Sequence, residues 1–380
     1  MRILILSFLF IASSFSMSAQ SGQNTADLNE AYEYFNEAIG HFRAKDYRKA
    51  VVYYSKAIKV NPKYTKAYYN RGSAKLNVKD YEGAIRDFNK VIELDPEFAK
   101  AYMYKGYTQM QLKKYKKASK SLTSAVKIDP TLTKAYLNRG TIQLKFDNYE
   151  LAIDDFTAAL NLNPDQASAY YNRGICHQRL KNYQKAIEDY TAALDTRPGY
   201  GTAHRARGKA FLATENYEDA ISDFTAFLRK KPNDASILYY RGYAKLQIDD
   251  LSGANSDFGM ALQVDPSHEN ALKNKAITSF QLGKFDEAIV DYTNLINVDS
   301  NNPDLWVNRG ITFLKKESYE NALDDFSKAI KLKSDFAEAY FNRANAYSKL
   351  EKSDKACSDM KNSAKHGYQP AYGHINSLCN

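Results

Sequence analysis

Seven of the nine prolines lie at a constant interval of 34 residues. They are Pro62, Pro96, Pro130, Pro164, Pro198, Pro232 and Pro266. Ser300 and Ser334 continue the same phase without a proline. A fixed period of this length predicts an array of similar structural units, because each unit buries its apolar face only by stacking on its neighbours. A chain of 380 residues can therefore form an array of stacked repeats instead of folding as two or three separate globular domains.

Ten repeats follow when each unit is numbered so that this proline is position 32. They cover residues 31–368 and begin near residues 31, 65, 99, 133, 167, 201, 235, 269, 303 and 337. Position 20 is alanine in every repeat, position 8 is glycine or alanine, and positions 4 and 24 are mostly aromatic. Positions 4, 8 and 11 share one helical stripe, as do positions 20, 24 and 27. This pattern predicts two helices per repeat, A and B, that approach closely at the small residues.

These features resemble the tetratricopeptide repeat family over about residues 30–366. The matching features are the period of 34, the bulky–Gly–bulky spacing, the alanine at position 20 and the proline at position 32. The resemblance implies an all-α fold, a right-handed α-solenoid of about ten helix-turn-helix repeats. Gly367 ends the last repeat and Pro370 begins a short final helix, so residues 369–380 are expected to form a capping helix and the C-terminus. The fold hosts many binding roles, so the resemblance alone implies no particular partner.

An arginine at position 7 accompanies an aspartate at position 23 in seven repeats, as in Arg173 with Asp189. The eighth repeat has Lys275 with Asp291. The first and third repeats lack both partners, with Glu37 and Tyr53 in the first and Lys105 and Ser121 in the third. The basic residue at position 7 and the aspartate at position 23 therefore tend to occur together. This predicts an ion pair that braces helix A to helix B inside most repeats. The planar guanidinium suits a partly buried bidentate contact of this kind.

Residues 1–19 have the order and length of a secretory signal peptide. Arg2 precedes an apolar stretch that is too short for a spanning helix, and small residues follow it. Retention of this segment as a membrane anchor is the alternative. Residues 20–30 are expected to be a short linker. The mature protein is thus expected in the periplasm or outside the cell, in an envelope-associated complex, without stable membrane insertion and without nucleic acid as a partner.

The remaining stripe of helix A is expected to line the concave surface of the solenoid. Position 6 is asparagine in seven repeats: Asn36, Asn70, Asn138, Asn172, Asn274, Asn308 and Asn342. A carboxamide both donates and accepts hydrogen bonds, so such a row can bind the backbone of an extended peptide. Tyr69, Tyr171 and Tyr239, at position 5, add aromatic surface beside it. The alternative is that these asparagines belong to the general repeat and bond only locally.

Basic charge is concentrated in the first repeats. The net charge is +9, and residues 30–130 carry 21 basic and 11 acidic side chains. Lys66, Lys100 and Lys134 occupy position 2 of successive repeats and are candidate peptide contacts, although a merely solvated lysine face is the alternative. The basic and asparagine clamp that some family members use for C-terminal carboxylates is absent from the early repeats.

No sequence motif for catalysis, a metal or a cofactor is present, and the six histidines are scattered. Cys357 and Cys379 flank the turn at Gly367, so an antiparallel pair of helices can bring them together in a disulfide. Cys176 is expected to remain a lone thiol.

Two function classes fit these observations. The first is a non-catalytic scaffold that binds a protein or peptide segment in the concave groove. The second is a binder of an anionic cell-envelope polymer through the basic first repeats. The first class predicts weak dependence on salt and the second a steep one.

Overall fold

The computed structural model of the protein describes residues 25–379, and these form twenty-one α-helices and no β-strand. The predicted signal peptide lies outside the described residues. The first helix, α1, is described over residues 25–43, so helix replaces part of the predicted linker. The predicted all-α repeat fold is confirmed.

Each repeat contributes one helix A of mostly 13 residues and one helix B of mostly 14. The A helices after α1 are α3 (Thr65–Asn77), α5 (Ala99–Gln111), α7 (Thr133–Lys145), α9 (Ala167–Arg179), α11 (Gly201–Ala213), α13 (Ala235–Gln247), α15 (Glu269–Gln281), α17 (Pro303–Lys315) and α19 (Ala337–Lys349). The B helices are α2 (Tyr47–Val60), α4 (Tyr81–Leu94), α6 (Tyr115–Ile128), α8 (Tyr149–Leu162), α10 (Tyr183–Thr196), α12 (Tyr217–Leu228), α14 (Leu251–Val264), α16 (Phe285–Val298), α18 (Tyr319–Leu332) and α20 (Ser353–Lys365). A final helix, α21 (Gln369–Leu378), follows the tenth repeat. The chain divides after Pro198 into two compact units, which hold five repeats each.

The helix boundaries follow the chemistry of positions 15, 17 and 32. Position 17 opens each helix B, usually with tyrosine, and helix B ends before position 32, where proline cannot donate to the helical ladder. Position 15 has a positive φ in every repeat, with Lys79 at 64° as one example. Only the eighth repeat has glycine there, Gly283, although this conformation favours glycine. The Asp80 amide donates to the Lys75 carbonyl oxygen at 2.9 Å, which closes the turn.

Helices A and B approach each other at position 8. A Cβ atom built on Gly310 would lie 2.7 Å from Cε1 of Phe326, whose side chain is fully buried. A Cβ atom built on the glycine at position 8 of the second, fifth or sixth repeat would likewise lie too close to the ring at position 24. The alanines at position 20 are all fully buried beside these rings. Small residues therefore set the distance between the helices, and the large ring fills the space that this distance leaves.

Replacing Gly310 with alanine is expected to destabilise the protein, because the added methyl group would overlap the Phe326 ring. Overpacking costs about 1–3 kcal/mol, against a gain of about 1 kcal/mol in helix propensity. Gly40→Ala in α1 is the matched control, since a Cβ there has no atom within 4 Å, and this variant should gain stability. Urea unfolding measures both changes. An equal gain in both variants would contradict the packing argument.

The predicted ion-pair brace is confirmed in seven repeats. The arginine at position 7 contacts the aspartate at position 23 of the same repeat, with nitrogen–oxygen distances of 2.6–2.8 Å. In the eighth repeat Lys275 replaces the arginine and lies 2.7 Å from Asp291. Most of the arginines make two parallel hydrogen bonds, as Arg309 does to the two oxygens of Asp325. The aspartates are buried, so each pair holds a charged group inside the junction of helices A and B.

The same arginines also link neighbouring repeats. The Arg309 Nη1 atom donates to the hydroxyl of Thr293 in the preceding helix B, at 2.9 Å. Corresponding bonds join Arg71 to Ser55 and Arg173 to Thr157. Every arginine at position 7 follows a serine or threonine at position 25 of the preceding repeat. This pairing was not among the features predicted from the sequence, although the shared spacing of positions 25 and 7 indicates it.

Arg309→Leu is expected to destabilise the protein by about 3–5 kcal/mol at neutral pH, because it leaves the buried Asp325 without its cation. Burial already raises the pKa of Asp325, and Arg309 opposes that rise. Without Arg309 the pKa rises further. A carboxyl group with a raised folded-state pKa loses stability as pH increases through that pKa, so the loss should shrink near pH 4.

The control for this experiment is the double variant Arg309→Leu with Asp325→Leu, which removes both charges. It should be more stable at neutral pH than the single variant, because no buried carboxylate remains unpaired. Urea unfolding at the two pH values measures all three proteins. A loss that does not depend on pH, and that is as large in the double variant, would rule out the ion pair as its cause.

The predicted capping helix is α21, which packs against α20 at the end of the array. Ala371 of α21 is fully buried in a cluster with Met360 and Ala364 of α20, and Tyr368 and Ile375 pack against this cluster. Cys357 of α20 and Cys379 form a disulfide, with their Cα atoms 5.0 Å apart. The covalent link and the apolar contacts hold the last helix over the open end of the stack.

Thiol titration of the unreduced protein should find one free thiol after denaturation and three after reduction. The folded protein should react slowly or not at all, because Cys176 is fully buried and its burial raises the pKa of this thiol to about 12. Reduction should also lower stability by roughly 3 kcal/mol, the chain-entropy value for a loop of this length. Three free thiols in the unreduced, denatured protein would contradict the disulfide.

Candidate functional site

Neighbouring A helices contact one another, α3 with α5 and α5 with α7. Their position 5 side chains pack partly against helix B, and Met103 is buried in a cluster with Leu122 and Val126 of α6. The position 5 and position 9 side chains also border the neighbouring helix A. Between α5 and α7 these side chains enclose a depression of about 330 Å³. It is lined by Met103, Tyr104, Tyr107, Lys134, Leu137 and Asn138. The floor is thus apolar and aromatic, with one amide and one ammonium group.

A second depression, of about 270 Å³, lies next to the first. It adds Tyr69 and Lys100 and shares Met103, Tyr104 and Lys134. Together the two depressions form what we call the helix A site, whose central residues are Tyr69, Lys100, Met103, Tyr104, Tyr107, Lys134, Leu137 and Asn138. The site lies entirely within the second, third and fourth repeats of the first compact unit.

Tyr69 is a rigid part of this site. Its ring centroid lies 5.0 Å from that of Phe98 and 5.7 Å from that of Tyr104. Burial raises the pKa of Tyr69, and a hydrogen bond with Tyr104 adds to the rise. The phenol therefore stays neutral, and its orientation is determined before any ligand arrives.

The polar groups of the site are available to a ligand. Lys100 and Lys134 are exposed, and neither has a carboxylate within 4.0 Å among residues 25–379. Asn138 is partly buried in the depression wall. Two ammonium groups beside an apolar floor favour a ligand that combines an apolar side chain with negative charge.

The other asparagines of position 6 have varied surroundings. Asn70 bonds with Tyr54, whose pKa burial raises to about 12, and Asn274 bonds with Tyr239. Asn342 donates to the Glu338 carbonyl oxygen at 3.1 Å. Asn36 and Asn308 are exposed, Asn172 is partly buried, and Lys66 is exposed outside both depressions. The structure therefore brings Tyr69, Lys100, Lys134 and Asn138 together and places the other predicted contacts elsewhere.

The aromatic residues predicted in the other repeats pack against their neighbours. The Tyr171 ring centroid lies 5.8 Å from that of Tyr190. Tyr239, in the second unit, lies 4.8 Å from His268 and 6.4 Å from Tyr243. Tyr171 and Tyr239 are thus partly used in their own units and do not belong to the helix A site.

Sequence reasoning assigned no role to Tyr104, which is central to the helix A site. Tyr104 occupies position 6 of the third repeat, where most repeats have asparagine. The signal that could have identified it is this departure from the repeat pattern. The third repeat also lacks the ion-pair brace, and Ser121 there donates to Gln109 at 2.9 Å.

Residues 25–379 offer neither a cluster of metal ligands nor a membrane-spanning helix. No group of three or more histidine, cysteine, aspartate or glutamate side chains has the arrangement of a metal site there. Within the same residues, no helix has both the length and the apolar character needed to span a bilayer.

Sequence profiles of the tetratricopeptide repeat match most of the chain. Profiles described as "Tetratricopeptide repeat" match residues 27–64, 65–98, 99–132, 167–200 and 205–263. A profile described as "TPR repeat" matches residues 147–181, 278–317 and 312–351. No curated protein matches the chain.

Solved structures of repeat proteins are similar to parts of the chain. The C-terminal part of a TPR repeat-containing protein from Cytophaga hutchinsonii is 18% identical, with a TM-score of 0.54 over 63% of this chain and 98% of that one. MamA is 30% identical, with a TM-score of 0.42 over 45% of this chain and 94% of that one. YrrB, described as a TPR protein with an unusual peptide-binding site, is 22% identical, with a TM-score of 0.47 over 50% and 97%. The repeat fold and the profile matches together show that the chain belongs to the tetratricopeptide repeat family.

Proposed function

We propose that the protein is an exported, non-catalytic scaffold whose helix A site binds an extended segment of a partner protein. The observation that carries this proposal is the depression lined by Met103, Tyr104, Tyr107 and Leu137, with Lys134 and Asn138 beside them. Proteins of this repeat family typically act as protein-interaction scaffolds. A depression of about 330 Å³ is large enough for one bulky apolar side chain.

The polar groups of the helix A site indicate which groups the ligand should carry beside its apolar side chain. Asn138 can donate to and accept from a peptide backbone, which suits an extended segment of any sequence. Lys100 and Lys134 both line the second depression, so a carboxylate near the apolar anchor can be paired there. We therefore propose a segment in which a large apolar residue lies close to aspartate or glutamate.

Binding fits this site better than catalysis. The residues that line the two depressions include no histidine, cysteine or carboxylate. General acid–base or nucleophilic catalysis usually depends on such groups at hydrogen-bonding distance from one another. Aromatic, methionine and lysine side chains instead supply contact area and charge for a bound segment.

Export is the second part of the proposal. The signal-peptide pattern of residues 1–19 motivates it, and the disulfide between Cys357 and Cys379 is compatible with an oxidising compartment. An exported scaffold of this kind would hold envelope or secreted proteins in a complex. Thiol titration of the unreduced protein tests the disulfide that supports this part of the proposal.

Peptides selected from a random displayed library against the purified protein should bind more weakly to Tyr107→Ala. We expect a loss of about tenfold or more in affinity, because an aromatic anchor in the centre of a contact typically contributes that much. Lys134→Gln should cost less and should reduce the salt dependence. Fluorescence polarisation of the selected peptides measures both effects, and circular dichroism verifies that the variants are folded.

The repeats provide matched controls for both variants. Tyr243→Ala changes position 9 of the seventh repeat, where the tyrosine is 37% exposed, close to the 38% of Tyr107. Lys66→Gln changes position 2 outside the two depressions. Both controls should bind the peptides as the unaltered protein does. Unchanged binding by Tyr107→Ala, or an equal loss in Tyr243→Ala, would overturn the assignment of the site.

A further inference from the structure

A second charged surface lies on the other helix of the third repeat. We call it the lysine face, and it consists of Lys113, Lys114, Lys116, Lys117, Lys120 and Lys127 on α6 and the turn before it. All six side chains are exposed. Residues 113–127 include no aspartate or glutamate, whereas positions 15–29 of every other repeat include at least one. The sequence pattern indicates an anionic polymer as an alternative ligand of the basic first repeats, but the residues named for it lie on helix A and not on this face.

Few carboxylates neutralise the lysine face. Lys114 pairs with Glu82 of α4 at 2.5 Å. The other five lysines have no carboxylate within 4.0 Å in the part of the chain that the structure describes. The face thus carries a net positive charge that an anionic ligand could neutralise.

Three of these lysines lie at the start of α6, where positive charge is unfavourable for the helix. Lys114 is the N-cap residue of α6 without a side-chain cap, and Lys116 and Lys117 are in the first turn. The equivalent cap in α2, α4 and α14 is an aspartate that accepts a backbone N–H. Positive charge at a helix N-terminus opposes the helix dipole. Because Lys114, Lys116 and Lys117 do not help the helix to form, a role outside folding accounts for them better.

The shape of the face favours a linear polymer over a membrane surface. Lys116, Lys120 and Lys127 follow one side of α6 over eleven residues, or about 16 Å at the usual helical rise. The apolar side of α6, with Leu122 and Val126, is buried in the repeat and is not available to enter a lipid layer. A flexible chain of anionic groups can lie along the lysines without any apolar contact.

We propose that the lysine face binds a linear polyanion, a soluble polymer that carries phosphate or carboxylate groups at regular intervals. This second surface is independent of the helix A site, because it lies on helix B. Lys127, at its end, and Lys100 line a common depression of about 810 Å³ together with Glu97 and Asp129, so negative charge is present where the lysine face approaches the helix A site. The protein would then be attached to an anionic polymer while the helix A site remains open to a peptide.

Long-chain polyphosphate is the probe for this proposal, and Lys116→Gln, Lys117→Gln and Lys120→Gln are combined in one variant. We expect this variant to bind polyphosphate at least about tenfold more weakly at low salt, with a shallower dependence of affinity on salt, since fewer counterions are released. Its melting temperature should be equal or higher, because repulsion at the start of α6 is relieved. Its affinity for the selected peptides should not change. The peptide measurement therefore tests the helix A site separately from the lysine face.

The matched control removes three exposed lysines elsewhere, Lys315→Gln, Lys331→Gln and Lys349→Gln, with the same change in net charge. It should retain polyphosphate binding. Unchanged binding by the first variant, or equal weakening in the control, would overturn the proposal. Binding to vesicles that contain an anionic lipid, but not to polyphosphate, would overturn it in favour of a membrane surface.

Discussion

The close approach of helices A and B at position 8 is the contact on which the rest of the structure depends. A glycine or alanine there lets the ring at position 24 fill the space between the helices, as with Gly310 and Phe326. Position 8 of helix A is used completely in this packing, and position 5 also contacts helix B, as Tyr171 does with Tyr190. The side chains at positions 2, 6 and 9, and the part of position 5 that does not contact helix B, therefore remain for contacts between neighbouring A helices and for ligands. The core packing thus decides which residues are available to a partner.

The third repeat departs most clearly from this common plan. It lacks the aspartate of the brace, and Lys105 replaces the arginine, with a pKa that burial lowers. Tyr104 replaces the asparagine of position 6, and residues 113–127 contain lysines but no carboxylate, unlike the corresponding residues of the other repeats. Both proposed binding surfaces include this repeat. Departures from a local rule that bring no gain in stability are expected at functional positions, and the third repeat has several of them.

Much of the fold could be predicted from the sequence. The repeat period, the two helices of each repeat, the capping helix and the brace follow from residue size and spacing, because each repeat experiences the same neighbours. The conformation of position 15 could not be predicted, since lysine and glutamate, which occupy most of these positions, rarely adopt a positive φ. Residues such as Lys79 adopt it because packing of the two helices requires a sharp turn, which overrides the local preference.

The candidate site was only partly determined by the sequence. The repeat pattern alone identified Tyr69, Lys100, Lys134 and Asn138 as residues of the open side of helix A. The tertiary structure decided that these four lie near one another, that Tyr104 lies among them, and that Asn70 is paired with Tyr54. The physical reason is that periodicity specifies the side of a helix on which a residue lies. The contacts of that residue depend instead on the size and hydrogen bonding of side chains one repeat away, and these differ from repeat to repeat.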